Sequence, residues 1–286
     1  MATTLKEAFK AFKSRLEITG LQTQTVSTRQ QNVRKHIATE LTVVDAFLTG
    51  SYCRSTMIAP LAQADIDIFF VLDAAYFQQG GQAALLDRVK RVLKRSYDLS
   101  DISRDGQAVT ITFSDFKVDV VPGFNRKGGG YLIPNTQGGI WIETNPREHE
   151  RLSSIHNQAH NGDLVPLEKM IKRWNREINR YFRSFHLEIL AWDIFDGVII
   201  PSFSSGARYF FDKGRTKIKQ KNPDPAGYGG DVGYYLNNKN LDEAVSRFTT
   251  AYNRAIKAEE YETKGKIADA IGEWRKIFGD TFPAYG

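Results

Sequence analysis

Asp65 and Asp67 stand two residues apart in the run ADIDIFFVL, and Asp119 stands in the later run KVDVVPGF. In an extended strand successive side chains alternate faces, so Asp65, Asp67, Phe69 and Val71 share one side and Ile66, Ile68, Phe70 and Leu72 the other. Carboxylates this close repel and raise each other's pKa unless a cation compensates. Magnesium takes hard oxygen ligands, a few carboxylates completed by substrate phosphates and water. Two such ions hold an attacking hydroxyl and a departing pyrophosphate in line. The three acids therefore point to a divalent-metal site for phosphate chemistry. Upstream, Gly50-Ser51 opens the turn GSYCRST. Glycine lets the backbone approach a phosphate, and the serine hydroxyl and exposed amides donate to its oxygens. The rival reading of Asp119, a hydrogen-bonded core carboxylate between Val118 and Val120, faces the cost of burying a charge without a partner.

These residues need strands and a turn to position them. Val43–Leu48 is β-rich and runs into Gly50-Ser51, and the Asp65–Leu72 strand follows. A helix is expected over about 82–97, with Leu85, Leu86, Val89, Val92 and Leu93 on its apolar face. Ala108–Phe113 and Phe116–Val121 alternate around Ser114-Asp115, which predicts a hairpin that brings Asp119 into a strand. Residues 4–40 read as helical, with an interruption at ITGLQTQTVS. From about Arg147 the pattern becomes helical again. Leu164–Asn179 is amphipathic, and Ser184–Val198 is apolar nearly all round, the pattern of a central buried helix. Pro201–Gly233 reads as a long connection rich in Gly, Pro and Lys, and residues 240–278 as one or two helices broken near Gly265. The expected fold is an α/β half, 1–150, followed by a helical half with a C-terminal tail, 151–286.

At 286 residues, with 41% hydrophobic and 25% charged residues, the chain has the composition of a globular protein able to bury a sizeable core. No apolar run reaches the roughly 18–20 residues that span a bilayer, and the N-terminus lacks the apolar core of a signal peptide. The single cysteine, Cys53, excludes an internal disulfide and fits a reducing compartment, so a cytoplasmic location is expected. A net charge of +6 favours anionic partners, which nucleotides satisfy without nucleic acid. The block KIKQK at 217–221 is either a phosphate-tracking patch or a solvated loop. The histidines show no zinc-ligand spacing.

The combination of Gly-Ser, Asp-x-Asp and a third Asp in a later β-run resembles the nucleotidyltransferase superfamily typified by DNA polymerase beta. The stretches 50–56, 64–72 and 117–124, with WIETNPREH (141–149) and MIKRWNR (170–176), are similar to the bacterial CD-NTases, relatives of cyclic GMP-AMP synthase and oligoadenylate synthase. The likeness runs from about residue 28 to 236. It implies an α/β + α fold, a polymerase-beta-like core of mixed sheet and flanking helices packed against a helical lobe, with the active site in the cleft. It also implies an enzyme that joins ribonucleoside triphosphates, ATP among them, into cyclic or short linear oligonucleotide signals for anti-phage (CBASS) defence, acting on an effector through its product. Rival functions are nucleotide addition to RNA or protein, or a binding module with a retired site.

By motif position, Gly50 and Ser51 would hold the donor triphosphate. Asp65 and Asp67 would ligate two Mg2+ ions, with Mn2+ able to substitute, and Asp119 would join the ion on the acceptor side. Lys172 would contact donor phosphates, Ser184 a phosphate, and Phe185 a base. Each has a plainer alternative: Lys172 a surface lysine, Ser184 a helix cap, Phe185 a core residue. Thr56 either contacts the acceptor or braces the turn. The resemblance also suggests an E1/E2-like partner acting on the C-terminal Gly286, against the alternative of a frayed end.

Overall fold

The computed structural model describes residues 2–286. In chain order its elements are α1 (Leu5–Leu16), α2 (Gly20–Ala38), β1 (Val43–Thr49), the one-turn α3 (Gly50–Cys53), β2 (Asp65–Leu72), α4 (Gln82–Ser96), β3 (Asp101–Asp105), β4 (Ala108–Thr112), β5 (Lys117–Asn125), β6 (Tyr131–Asn135) and β7 (Ile140–Thr144). Helices follow: α5 (Pro146–Ala159), α6 (Leu164–Glu177), α7 (Ser184–Phe195), α8 (Phe203–Lys217), α9 (Asn238–Thr263) and α10 (Ile267–Phe278). By packing, the chain divides into two units. The sheet unit is Ile18–Leu152 with Ala226–Gly229; the helical unit is the chain up to Glu17 with Ser153–Pro225 and Gly230–Gly286.

In the sheet unit the strands run in the order β1-β2-β5-β4-β3, with β6 and β7 continuing from β5. Only the β2–β5 pair is parallel, so the sheet is mixed. Alternation along β2 decides what each face does. Ile66, Ile68, Phe70 and Leu72 join Val109, Ile111, Val118 and Val120 in a core covered by Val33 and Ile37 of α2 and Leu86, Val89 and Leu93 of α4. Phe69 and Val71 face the other way and pack with Ile133 in a smaller cluster. Asp65 and Asp67 open this second face. Residues 226–229 belong here because the Tyr228 ring lies against Gly130, where an added Cβ would come within 2.7 Å of it.

Three expectations need correction. The helical stretch at the N-terminus is interrupted only over residues 17–19, because Thr19 and Gln22 form a reciprocal capping box that starts α2 at once. The α1 segment does not belong with the core of residues 1–150. Phe9 and Phe12 sit among Trp274, Phe278 and Phe282, with ring centroids 4.7–6.2 Å apart, and so tie α1 to the helical unit. The stretch 201–233 is not all connection, since α8 occupies fifteen of its residues. Glycine lowers helix propensity and hides this helix from a sequence reading. Packing requires one of its glycines: a Cβ on Gly214 would fall 2.2 Å from Phe248 of α9. Within KIKQK, Lys217 pairs with Asp193 at 2.8 Å, Ile218 is buried and the last three residues are exposed.

The tail is not frayed. Ala2 pairs with Tyr285 in a parallel bridge, the Gly286 amide donates to the Ala2 carbonyl at 3.3 Å, and Phe282 is wholly buried. No described helix is long and apolar enough to cross a membrane.

Candidate active site

The sheet register assembles the acidic face. Asp67 of β2 is the parallel partner of Asp119 on β5, and Asp65 partners Lys117 one step along. On the far side Thr110 of β4 pairs with Asp119, and its hydroxyl donates to Asp119 Oδ1 at 2.6 Å. Burial raises the Asp119 pKa above the ordinary carboxylate range; the Thr110 bond opposes this, and the Asp65 charge adds to it. A half-buried carboxylate disfavoured by its own surroundings, with like charges beside it, is a donor set short of positive charge. These hard oxygen donors fit a divalent cation. Among the described residues, no three His, Cys, Asp or Glu side chains gather into a group that could hold a metal ion. The acids share a face without forming a closed cage. An octahedral ion completes its shell from substrate phosphates and water, so it needs only part of its ligands from the protein.

The Gly-Ser turn is built onto the same acids. Thr49 ends β1 opposite Asp67. Gly50 then turns with φ +67°, and a Cβ there would stand 1.9 Å from Asp67 Oδ2. Glycine is required twice, for the left-handed backbone and for the carboxylate packed against its Cα. Ser51 follows, half-buried, and its carbonyl accepts from the Thr56 and Met57 amides at 2.9 and 3.0 Å. Thr56 is fully buried, with its hydroxyl 3.5 Å from the same carbonyl. The Cys53 thiol is pushed up to about 11, first by burial and then by Glu150, so it stays protonated.

The remaining sequence-selected residues lie in the helical unit. Lys172 is not a surface lysine. It is 6% exposed, and its Nζ lies 2.8 Å from Oε1 of the buried Glu188 on α7. Two residues on, Trp174 packs against Phe182, Phe211 and Phe248. Asn175 then clasps the Phe182 main chain, donating to its carbonyl at 2.7 Å and accepting from its amide at 2.9 Å. The MIKRWNR run thus fixes the chain just before α7. The N-cap of that helix is Arg183, with no side-chain cap bond, so Ser184 is its first helical residue and not its cap. Ser184 is exposed and Phe185 half-buried, outside the fully buried core. An exposed helix N-terminus carrying a serine favours an anion through its amide groups and dipole.

The sequence reading missed Thr110, Glu188, Arg183 and Tyr235. Thr110 was recoverable, because the predicted hairpin sets it opposite Asp119. Tyr234-Tyr235 offered a weak signal, two adjacent aromatics in a Gly/Asp-rich connection. Glu188 offered none, since its role depends on how α6 and α7 pack.

The comparisons agree with this geometry. Residues 3–157 match the model of the Second Messenger Oligonucleotide or Dinucleotide Synthetase domain. A probable cyclic nucleotide synthase of Bacillus cereus strain VD146 is 26% identical over 82% of this chain and 81% of its own length. A cyclic AMP-AMP-AMP synthase of Acinetobacter sp. is 31% identical over 47% of this chain and 40% of its own. Among solved structures, E. coli MS115-1 CdnC in its HORMA complex superposes with a TM-score of 0.79 at 15% identity, covering 98% of both chains. The fold is therefore that of the CD-NTases. With more than half its length matched and the acidic register in place, the chain belongs to the second-messenger oligonucleotide or dinucleotide synthetase family and is a nucleotidyltransferase.

Proposed function

We propose that this protein joins ribonucleoside triphosphates, ATP among them, into a cyclic or short linear oligonucleotide that reaches an effector in CBASS defence in the cytoplasm. A ribose hydroxyl oxygen bonds to the α-phosphorus of a bound triphosphate, the α–β anhydride bond breaks and pyrophosphate leaves. The observation that carries this reading is the register that sets Asp67 beside Asp119 with Gly50 packed against Asp67. Two Mg2+ ions, for which Mn2+ substitutes, would polarise the α-phosphate and ease deprotonation of the hydroxyl. Asp65 and Asp67 would hold both, and Asp119, oriented by Thr110, would hold the acceptor-side ion. Gly50 and Ser51 would receive the donor phosphates. Ser184, at the start of α7, would take a phosphate and Phe185 would stack on a base, while Lys172 could reach a donor phosphate only by sharing its ammonium with Glu188. The protein's contribution is placement and charge compensation.

The test is incubation with the four ribonucleoside triphosphates and magnesium, with products read by mass spectrometry. Replacing Asp65 and Asp67 together by Asn should lower product formation by at least about a thousandfold while circular dichroism stays unchanged. Undiminished product from that variant would overturn the assignment. An E1/E2-like partner acting on Gly286 would first have to lift the tail from Ala2, so the docked tail counts against a freely offered C-terminus.

A further inference from the structure

The entry to α7 is bolted by a residue far away in sequence. The Tyr235 hydroxyl accepts the Arg183 amide at 2.9 Å and lies 3.0 Å from His186 Nδ1. Its ring stands edge-on to the His186 imidazole, and the Arg183 guanidinium covers it at 4.8 Å. The neighbouring Tyr234 takes a bond from Arg183 Nη1 at 2.7 Å. Beneath them His186 is 1% exposed, and burial lowers its pKa to about 4, so it is neutral under ordinary conditions. The segment that carries Tyr235 is itself fixed: Asp231 Oδ1 accepts from the Asn222 and Gly233 amides at 3.0 and 2.9 Å. Gly233 lies so close to His186 that a Cβ there would come within 3.1 Å of its Cε1.

One hydroxyl thus ties down the residue before Ser184 and the second residue after it. No side chain caps this helix, so the position of its first turn depends on what grips it from outside. Asn175 grips at Phe182, and Tyr235 at Arg183 and His186. We propose that Tyr235 is a positioning residue for nucleotide binding, which sets Ser184 at the N-terminus of α7 where it receives a triphosphate. The inference rests on the phosphate role given to Ser184 above. It adds that the connection 222–236 controls nucleotide affinity without touching the reacting atoms.

The variant Tyr235→Phe keeps the ring and deletes the hydroxyl. Binding of α,β-methylene-ATP with magnesium is measured by calorimetry for the wild type, Tyr235→Phe, Ser184→Ala and the double variant, with KM and kcat for ATP alongside. Loss of the hydroxyl, with its bonds to the Arg183 amide and His186 Nδ1, predicts about 3- to 10-fold weaker binding and a matching rise in KM, with kcat within about twofold. Because Tyr235 acts through Ser184, the double variant should bind no worse than the weaker single one. Wild-type affinity in Tyr235→Phe, or losses that multiply in the double variant, would overturn the positioning role and leave Ser184 as a ligand. Wild-type affinity in Ser184→Ala would overturn both. Should Tyr235→Phe not fold, Gly233→Ala presses on His186 from the other side and should weaken binding in the same way; unchanged binding there rejects the proposal.

Discussion

Asp67 and Lys172 are both charged groups singled out by motif, and the molecule holds them in opposite ways. Asp67 occupies a register position. Its neighbours Thr49, Asp119 and Gly50 follow from strand pairing and one turn. Lys172 occupies a tertiary position, 2.8 Å from a carboxylate on another helix in a setting with almost no solvent. A register site concentrates like charge and relies on something from outside to balance it. An ion-paired site is balanced already, and its disruption threatens the fold before the chemistry.

That contrast can be broken first at Lys172. Replacing it with Met removes the ion-pair partner of the buried Glu188, which should cost about 3–5 kcal/mol in urea unfolding, whereas Lys172→Met with Glu188→Leu should recover most of the loss. A single variant of wild-type stability would remove the distinction. At Gly50 the expected balance is reversed. Alanine there places a methyl group on the Asp67 carboxylate at a left-handed backbone angle, with about 1–2 kcal/mol of strain but roughly a hundredfold loss of turnover, because the proposed role of Asp67 depends on where its carboxylate stands. Equal losses in stability and rate at both positions would erase the difference between the units.

The smallest effect is the sharpest in sign. The raised pKa of Asp119 means that the folded state binds its proton more tightly than the unfolded chain does. Stability from this group therefore falls as pH rises from the ordinary carboxylate value through the raised one. In a chelator, Asp119→Asn should melt above the wild type at neutral pH, and the gap should close as the medium is acidified. Added Mg2+ should stabilise the wild type more than the variant. A variant that melts lower throughout would mean that Asp119 is already compensated by its protein neighbours.

The same contrast explains what the sequence disclosed. Strand alternation is a local rule of period two, so the faces of β2, the hairpin of β4 and β5 and the grouping of Asp65, Asp67 and Asp119 could be read before any coordinates. The helices yielded less. Gly206 and Gly214 suppressed the signal of α8, although at Gly214 the Phe248 ring stands where a Cβ would be. Ser184 was legible by motif, but Tyr235, which grips its helix from about fifty residues away, has no local pattern to betray it. Thr56 was legible as part of the turn, and its complete burial was not, since that depends on what packs around the turn.

The stacking of Phe9 and Phe12 on rings near the opposite end of the chain has a consequence for synthesis. The α1 helix leaves the ribosome before the sheet unit does, and its ring partners in α10 leave after it. At about 5–20 residues per second, the ring contacts between α1 and α10 form on the order of half a minute after α1 emerges. The sheet unit can mature while this helix remains unclaimed. The helical unit can close only after α10 has emerged, and α1 is the segment that a nascent-chain chaperone would have reason to shield.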